Sequence, residues 1–133
     1  MKKKNANTRE ITFYSKKCER VVSVFGTAAK SLAEQFENDQ NVLRYTSKIP
    51  VEINASEIPV IGIRPSYIRV PWLSDFSVEL IDGSIYIIEA ISESDLCKRA
   101  EVEKLELSRR YWGAKGIKWK MYIDSNNKGG SRE

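Results

Sequence analysis

Two apolar stretches joined by a tight polar turn form the clearest pattern in the chain. Asp75-Phe76-Ser77-Val78-Glu79-Leu80 alternates with a two-residue period, and Asp82-Gly83 supplies a turn. Ile85-Tyr86-Ile87-Ile88-Glu89-Ala90-Ile91 follows as an apolar, β-branched run. Together they predict a β-hairpin. Upstream, Ala28, Ala29, Leu32, Ala33 and Phe36 recur at helical spacing, with Lys30, Glu34 and Glu37 on the other side. This predicts a helix that starts after Phe25-Gly26 with Thr27 as N-cap and ends at Asn38-Asp39-Gln40-Asn41. Residues 42–53 read as a strand in which Pro50 marks an edge or a bulge. Residues 54–71 carry Pro59, Pro65 and Pro71 and predict an irregular connection with room for one short strand at 60–63. A long second helix is expected over about 96–112, capped by Ser94 or Asp95 and closed by Gly113 and Gly116. Lys118-Trp119-Lys120-Met121-Tyr122-Ile123 alternates as a final strand. The order α-β-β-β-α-β predicts an α/β fold, a central mixed β-sheet flanked by two main helices.

Composition narrows the chemistry. The 133 residues suit one domain, and 41% hydrophobic content is enough for a core. The expected division is a flexible basic arm at 1–12, a folded domain at 13–124 and a small, polar, disordered tail at 125–133. No stretch approaches the ~20 apolar residues of a membrane span. Met1-Lys2-Lys3-Lys4-Asn5 lacks the apolar stretch of a secretion signal, so a soluble cytoplasmic protein without a membrane partner is expected. The chain has no histidine, which excludes Ser-His-Asp and Cys-His hydrolysis and His-ligated zinc or haem. Cys18 and Cys97 are too few and too far apart for a zinc cluster or a disulfide framework. An enzyme here would work with carboxylates, lysine and a hard cation such as Mg²⁺. Residues 1–20 carry seven basic and two acidic side chains against a net charge of +4 for the whole chain, which suits either contact with DNA or a solvated tail; charge alone does not decide between them.

Glu89 stands near the end of an otherwise apolar strand, where a carboxylate is costly to bury without a partner. Asp75 starts the other strand of the hairpin, so both acids reach the same end of the sheet. Paired carboxylates repel, and a divalent cation relieves the repulsion. The alternative is a strand end where Glu89 pairs with a helix Lys or Arg. Register discriminates between the two. A strict two-residue turn at Asp82-Gly83 puts Asp75 and Glu89 on opposite faces, whereas a three-residue loop or a bulge puts them on one face.

The segments Asp75-Phe76, Ile88-Glu89-Ala90-Ile91 and Glu103-Lys104-Leu105-Glu106-Leu107-Ser108-Arg109-Arg110-Tyr111-Trp112 resemble the N-terminal domain of TnsA, the endonuclease subunit of heteromeric transposases. Tyr14-Ser15-Lys16 with Arg20-Val21, Val42 with Pro50, and Gly116 through Asp124 extend the likeness to about residues 13–124. The resemblance implies a restriction-endonuclease-like, PD-(D/E)XK fold that acts at transposon DNA ends with Mg²⁺. It also implies a TnsB-like transposase partner; the family contacts its TnsC-like ATPase regulator through a C-terminal domain not found in this sequence, so a regulator contact here either uses another surface or is not made. Carried over, Asp75 and Glu89 are the metal-binding and catalytic carboxylates.

The departures are as informative. Ala29 stands where the family has a helix Glu, and Ile91 where it has the strand Lys. Losing one group that stabilises the transition state costs typically ~10²–10³ in rate. Lys104 falls within the apolar arc of Leu96, Ala100, Leu107 and Tyr111, and is the candidate to replace the missing catalytic amine; otherwise its stem lies on the core and its ammonium reaches solvent. Lys98, Arg99, Arg109 and Arg110 are interleaved with Glu101, Glu103 and Glu106, which favours pairing within the helix. Three readings follow: a degenerate TnsA-like subunit that cuts weakly or not at all, an active nuclease with a rearranged site, or a protein-binding accessory module of a mobile element.

Overall fold

A computed structural model of the chain describes residues 9–53, 58–69 and 72–125. A mixed four-stranded sheet lies at its centre, in the order β3 (Val42–Val51), β4 (Trp72–Leu80), β5 (Ile85–Ser92), β6 (Lys118–Asp124). The first three run antiparallel and β6 runs parallel to β5. Helix α1 (Thr27–Asn38) packs on one face and helix α3 (Arg99–Ala114) on the other, with α3 forming the crossover that a parallel neighbour requires. The predicted α/β architecture with two main helices is what the chain forms.

Each face has its own core. On the α1 side, Ala29, Leu32, Ala33 and Phe36 meet Tyr45, Phe76, Val78, Ile88 and Ala90. The Phe36 ring stands 5.1 Å from both Tyr45 and Phe76 in tilted and edge-on arrangements. Each such contact is worth ~0.5–1.5 kcal/mol beyond area burial. On the α3 side, Val51, Ile87 and Trp112 pack with Ile49, Trp72, Tyr111 and Trp119. Leu107, fully buried, closes the neighbouring cluster with Ile58 and Ile63.

Several sequence expectations need correction. A hairpin of β1 (Glu10–Ser15) and β2 (Arg20–Phe25) precedes α1 and was not foreseen. Its inward residues Ile11, Phe13, Val22 and Val24 join the α1 core. Residues 10–12 therefore belong to the fold and not to the arm; positions 1–8 and 126–133 lie outside the described residues. Gly26, not Thr27, is the N-cap of α1, at φ 92 where a side chain is disfavoured. The strand predicted over 42–53 stops at Val51, and Pro50 sits where β3 is indeed an edge. No strand forms at 60–63; that segment turns and leads into a short helix, α2 (Pro65–Arg69), which Pro65 opens with its pre-set φ. The second helix begins at Arg99, because 93–97 winds as a separate 3₁₀ turn, and Lys98 is the N-cap in place of Ser94 or Asp95.

Candidate functional site

The β4–β5 connection decides the site. The amide of Leu80 donates to the Ser84 carbonyl (2.9 Å), and the Gly83 amide donates back to Leu80 (2.9 Å). Ile81, Asp82 and Gly83 thus form a three-residue loop, with Gly83 at φ 90 in its last position. Paired positions then run from Glu79↔Ile85 to Phe76↔Ile88, so the next step brings Asp75 to Glu89. The odd loop that the register argument requires is present.

The ladder opens at that step. Tyr45 lies in the α1-side core and Ile49 in the α3-side core, although both occupy odd positions of β3. Phe76 faces α1, while Ser74, two residues away, contacts Trp112 and Ser108 on α3. Both strands therefore turn over together between these residues. The turn passes through Lys48 at φ 58 on β3 and through Asp75 on β4, and neither is in the β3–β4 pairing. Strand β5 does not turn: Ile88 and Ala90 face α1, and Glu89 reaches α3.

Side chains complete the bonds that the opened ladder leaves unmade. The Asp75 amide donates to Glu89 Oε1 at 3.0 Å, and the Ala90 amide donates to Asp75 Oδ2 at 2.7 Å. Glu89 Oε2 accepts from Ser108 Oγ at 2.6 Å. Ser108 Oγ in turn accepts from Trp119 Nε1 (3.1 Å) and lies 3.4 Å from Ser74 Oγ, which accepts from Trp112 Nε1 (3.1 Å). With Ser74 as the donor of that pair, two indoles and two hydroxyls form a chain of dipoles whose positive ends all point at Glu89. Such networks strengthen cooperatively when every member is satisfied.

The structure thus joins Asp75 and Glu89, and both are shut away: Asp75 is 6% exposed and Glu89 2%. Lys104 is placed on the first turns of α3 with its ammonium 5.3 Å from the ring centroid of Tyr67 on α2. Ile91 is buried on the strand beyond Glu89. Ala29 is buried in the same α1-side core as Ile88 and Ala90, on the other face of β5 from the Glu89 side chain. A carboxylate at position 29 would enter an apolar layer. Among the described residues no group of three or more His, Cys, Asp or Glu is placed to share a metal ion. The carboxylates have the right chemistry for Mg²⁺, but that ion keeps several waters and demands octahedral space. Two enclosed carboxylates that already accept N–H and O–H donors do not fit a catalytic Mg²⁺ in this arrangement.

A second polar cluster, which the sequence reading missed, ties the first hairpin to α1. Glu37 accepts from Ser15 Oγ (2.5 Å), the Tyr45 hydroxyl and the Lys17 amide (3.1 Å). Burial pushes the Glu37 carboxyl up, but the Ser15 and Tyr45 hydroxyls, the Lys17 amide and the Lys17 charge outweigh it and hold the acid below its ordinary value. Burial, reinforced by Glu37, raises the Tyr45 phenol. On α3, hydrogen bonds from Arg109 pull Glu106 down to about 2 against its burial, with Arg110 adding to the effect. Pairing within the helix is what the interleaved charges predicted.

No protein-family model matches the chain, and no curated protein matches it.

Proposed function

We propose that this chain is a TnsA-like, restriction-endonuclease-like subunit of a heteromeric transposase, acting at transposon DNA ends by binding and assembly rather than by cutting. The observation that carries this reading is the joined and enclosed pair Asp75–Glu89. Each of these two carboxylates accepts a backbone amide at the opened ladder step, and a scissile phosphate has no access to acids that are 6% and 2% exposed. Ala29 and Ile91 occupy, as buried apolar residues, the positions where the family motif has its third acid and its lysine. In this reading Glu89 retains its place because the Ser108 and Asp75 donors need an acceptor. The hydrogen-bond chain has replaced the cation as its partner. DNA is the first ligand, and the TnsB-like transposase and TnsC-like regulator are the protein partners.

A plasmid-nicking assay with Mg²⁺ or Mn²⁺, run with and without a TnsB-like transposase encoded beside this chain, tests the proposal. Binding to transposon ends or to the transposase without added nicking is expected. Nicking that Asp75→Ala abolishes would establish an active nuclease instead. Failure to bind either DNA or transposase would remove the transposition reading altogether.

A further inference from the structure

Most arginines of α3 are consumed by their partners. Arg109 places both Nε (2.9 Å) and a terminal nitrogen (2.7 Å) on Glu106. Arg110 bonds Glu106 and also the carbonyls of Pro59 (3.2 Å) and Ile61 (2.9 Å), pinning the segment before α2. Arg64 and Arg99 are held differently. Both direct only Nε at one atom, Glu103 Oε2, at 3.3 and 2.7 Å. The other oxygen of Glu103 accepts the Arg64 backbone amide at 3.2 Å. The Glu103 side chain is nearly buried (9%) beneath the two arginine side chains, which are 48% and 79% exposed. Its carboxyl is held below the ordinary value: burial raises it, and the Arg64 amide and the two arginines more than offset that.

Two planar cations are thereby fixed side by side from beneath, and the Glu103 contact engages neither one's terminal N–H groups. Arg64 is further braced by the Tyr67 ring, 5.5 Å from its guanidinium carbon, and Lys104 shares that ring. Around them, Lys98 pairs with Asp95 at 2.8 Å, and Glu101 is buried. Arg99 also opens α3, the end of a helix dipole where a cation is least favoured and an anion most. An ordinary surface ion pair needs one arginine, contributes little to stability, and does not recruit a second from another segment. A fork of two fixed arginines matches the oxygens of a phosphate, because guanidinium donors bond oxyanions in parallel pairs.

We propose that Arg64 and Arg99, buttressed by Glu103, are a clamp for one phosphate region of a nucleic-acid backbone. Lys104 stands one helical turn before Ser108, so the clamp would hold DNA close to the Asp75–Glu89 pair. The inference rests on the DNA-binding part of the reading above.

Fluorescence anisotropy of the full chain with a labelled duplex, repeated over a salt series, tests it. Arg64→Ala/Arg99→Ala is compared with Arg109→Ala on the same helix. Each neutralised phosphate contributes about 0.9 to the slope of log K against log salt, so the double variant, which gives up the one clamped phosphate, should lose roughly 0.9 and bind roughly tenfold more weakly at low salt. Arg109→Ala should leave the slope unchanged, since Glu106 occupies that guanidinium. Arg99→Ala alone, on a side chain that is mostly exposed, guards against a folding defect in the pair and should lose about half the effect. Equal losses in the double variant and Arg109→Ala would overturn the clamp in favour of diffuse charge. An unchanged double variant would overturn the clamp while leaving DNA binding intact. A wild-type chain that ignores duplex DNA would overturn both, and titration with inorganic phosphate then reads whether the two arginines serve a smaller anion.

Discussion

At the scale of single residues, the weight rests on Ser108 and Glu37, which the sequence did not mark. Ser108 gives its only proton to Glu89 and receives the Trp119 indole. Ser108→Ala removes a donor from the buried Glu89 carboxylate and the acceptor of the half-buried Trp119 indole, at a cost of about 1–3 kcal/mol in urea unfolding. The same change at an exposed serine such as Ser94 should be near neutral. Ala29→Glu, which the family pattern suggests as a repair, should instead cost about 3–5 kcal/mol, because the acid enters the α1 core without a partner. A folded, metal-binding Ala29→Glu protein would refute that placement. Glu37 gives a pH signature. Its carboxyl is lower in the folded chain than in the unfolded one, so its stabilising effect is complete above the unfolded value, about pH 4.5, and fades as pH falls through the folded value. The stability gap between the protein and Glu37→Gln should therefore narrow on acidification below pH 4.5, and a gap constant from pH 7 to pH 3 would contradict the network.

At the scale of elements, what the sequence reveals depends on whether the signal is local. The β4–β5 hairpin is legible from alternation and Asp82-Gly83, and parity alone demands an odd loop if the two acids are to meet. Strands β1 and β2 also carry a signal, the alternating Ile11/Phe13 and Val22/Val24, but the surrounding basic residues read as an arm. The turning over of β3 and β4 is not legible: Lys48 has no sequence feature that announces a positive φ. Nor is the fate of the α3 acids, since helical spacing predicts the Arg99–Glu103 pair but not the arrival of Arg64 from another segment. The loop itself is open to test. Gly83 has φ 90, and a Cβ there would meet nothing within 4 Å. Gly83→Ala should thus cost only the left-handed backbone penalty, about 1–2 kcal/mol, with hairpin register retained. A larger loss, with collapse of the Asp75–Glu89 contacts, would mean that the loop conformation alone enforces the register.

At the scale of the whole molecule, two basic regions are available to DNA, and they differ in kind. The arm is a run of lysines at positions 2–4, and the α2–α3 fork is a pair of arginines fixed by tertiary contacts. Removing the arm must stop at residue 8, because Glu10 already bonds Ser23 and Lys48 and belongs to β1. Deleting residues 1–8 keeps every described residue of the cores, so the melting temperature should stay nearly unchanged. It should lower the salt slope of DNA binding by up to about 2.7, at about 0.9 for each of the three lysines. If the run of lysines neutralises phosphates without regard to geometry, this loss should be the same for single- and double-stranded DNA after allowing for their different charge density. The loss from the fork should be larger on the duplex, whose phosphate spacing is regular. If the arm and the fork engage the same DNA independently, their slope losses add in the combined variant. A combined loss no larger than that of the arm alone would show that the fork acts only after the arm has docked, and the binding surface would then be ordered in sequence from the N-terminus inward.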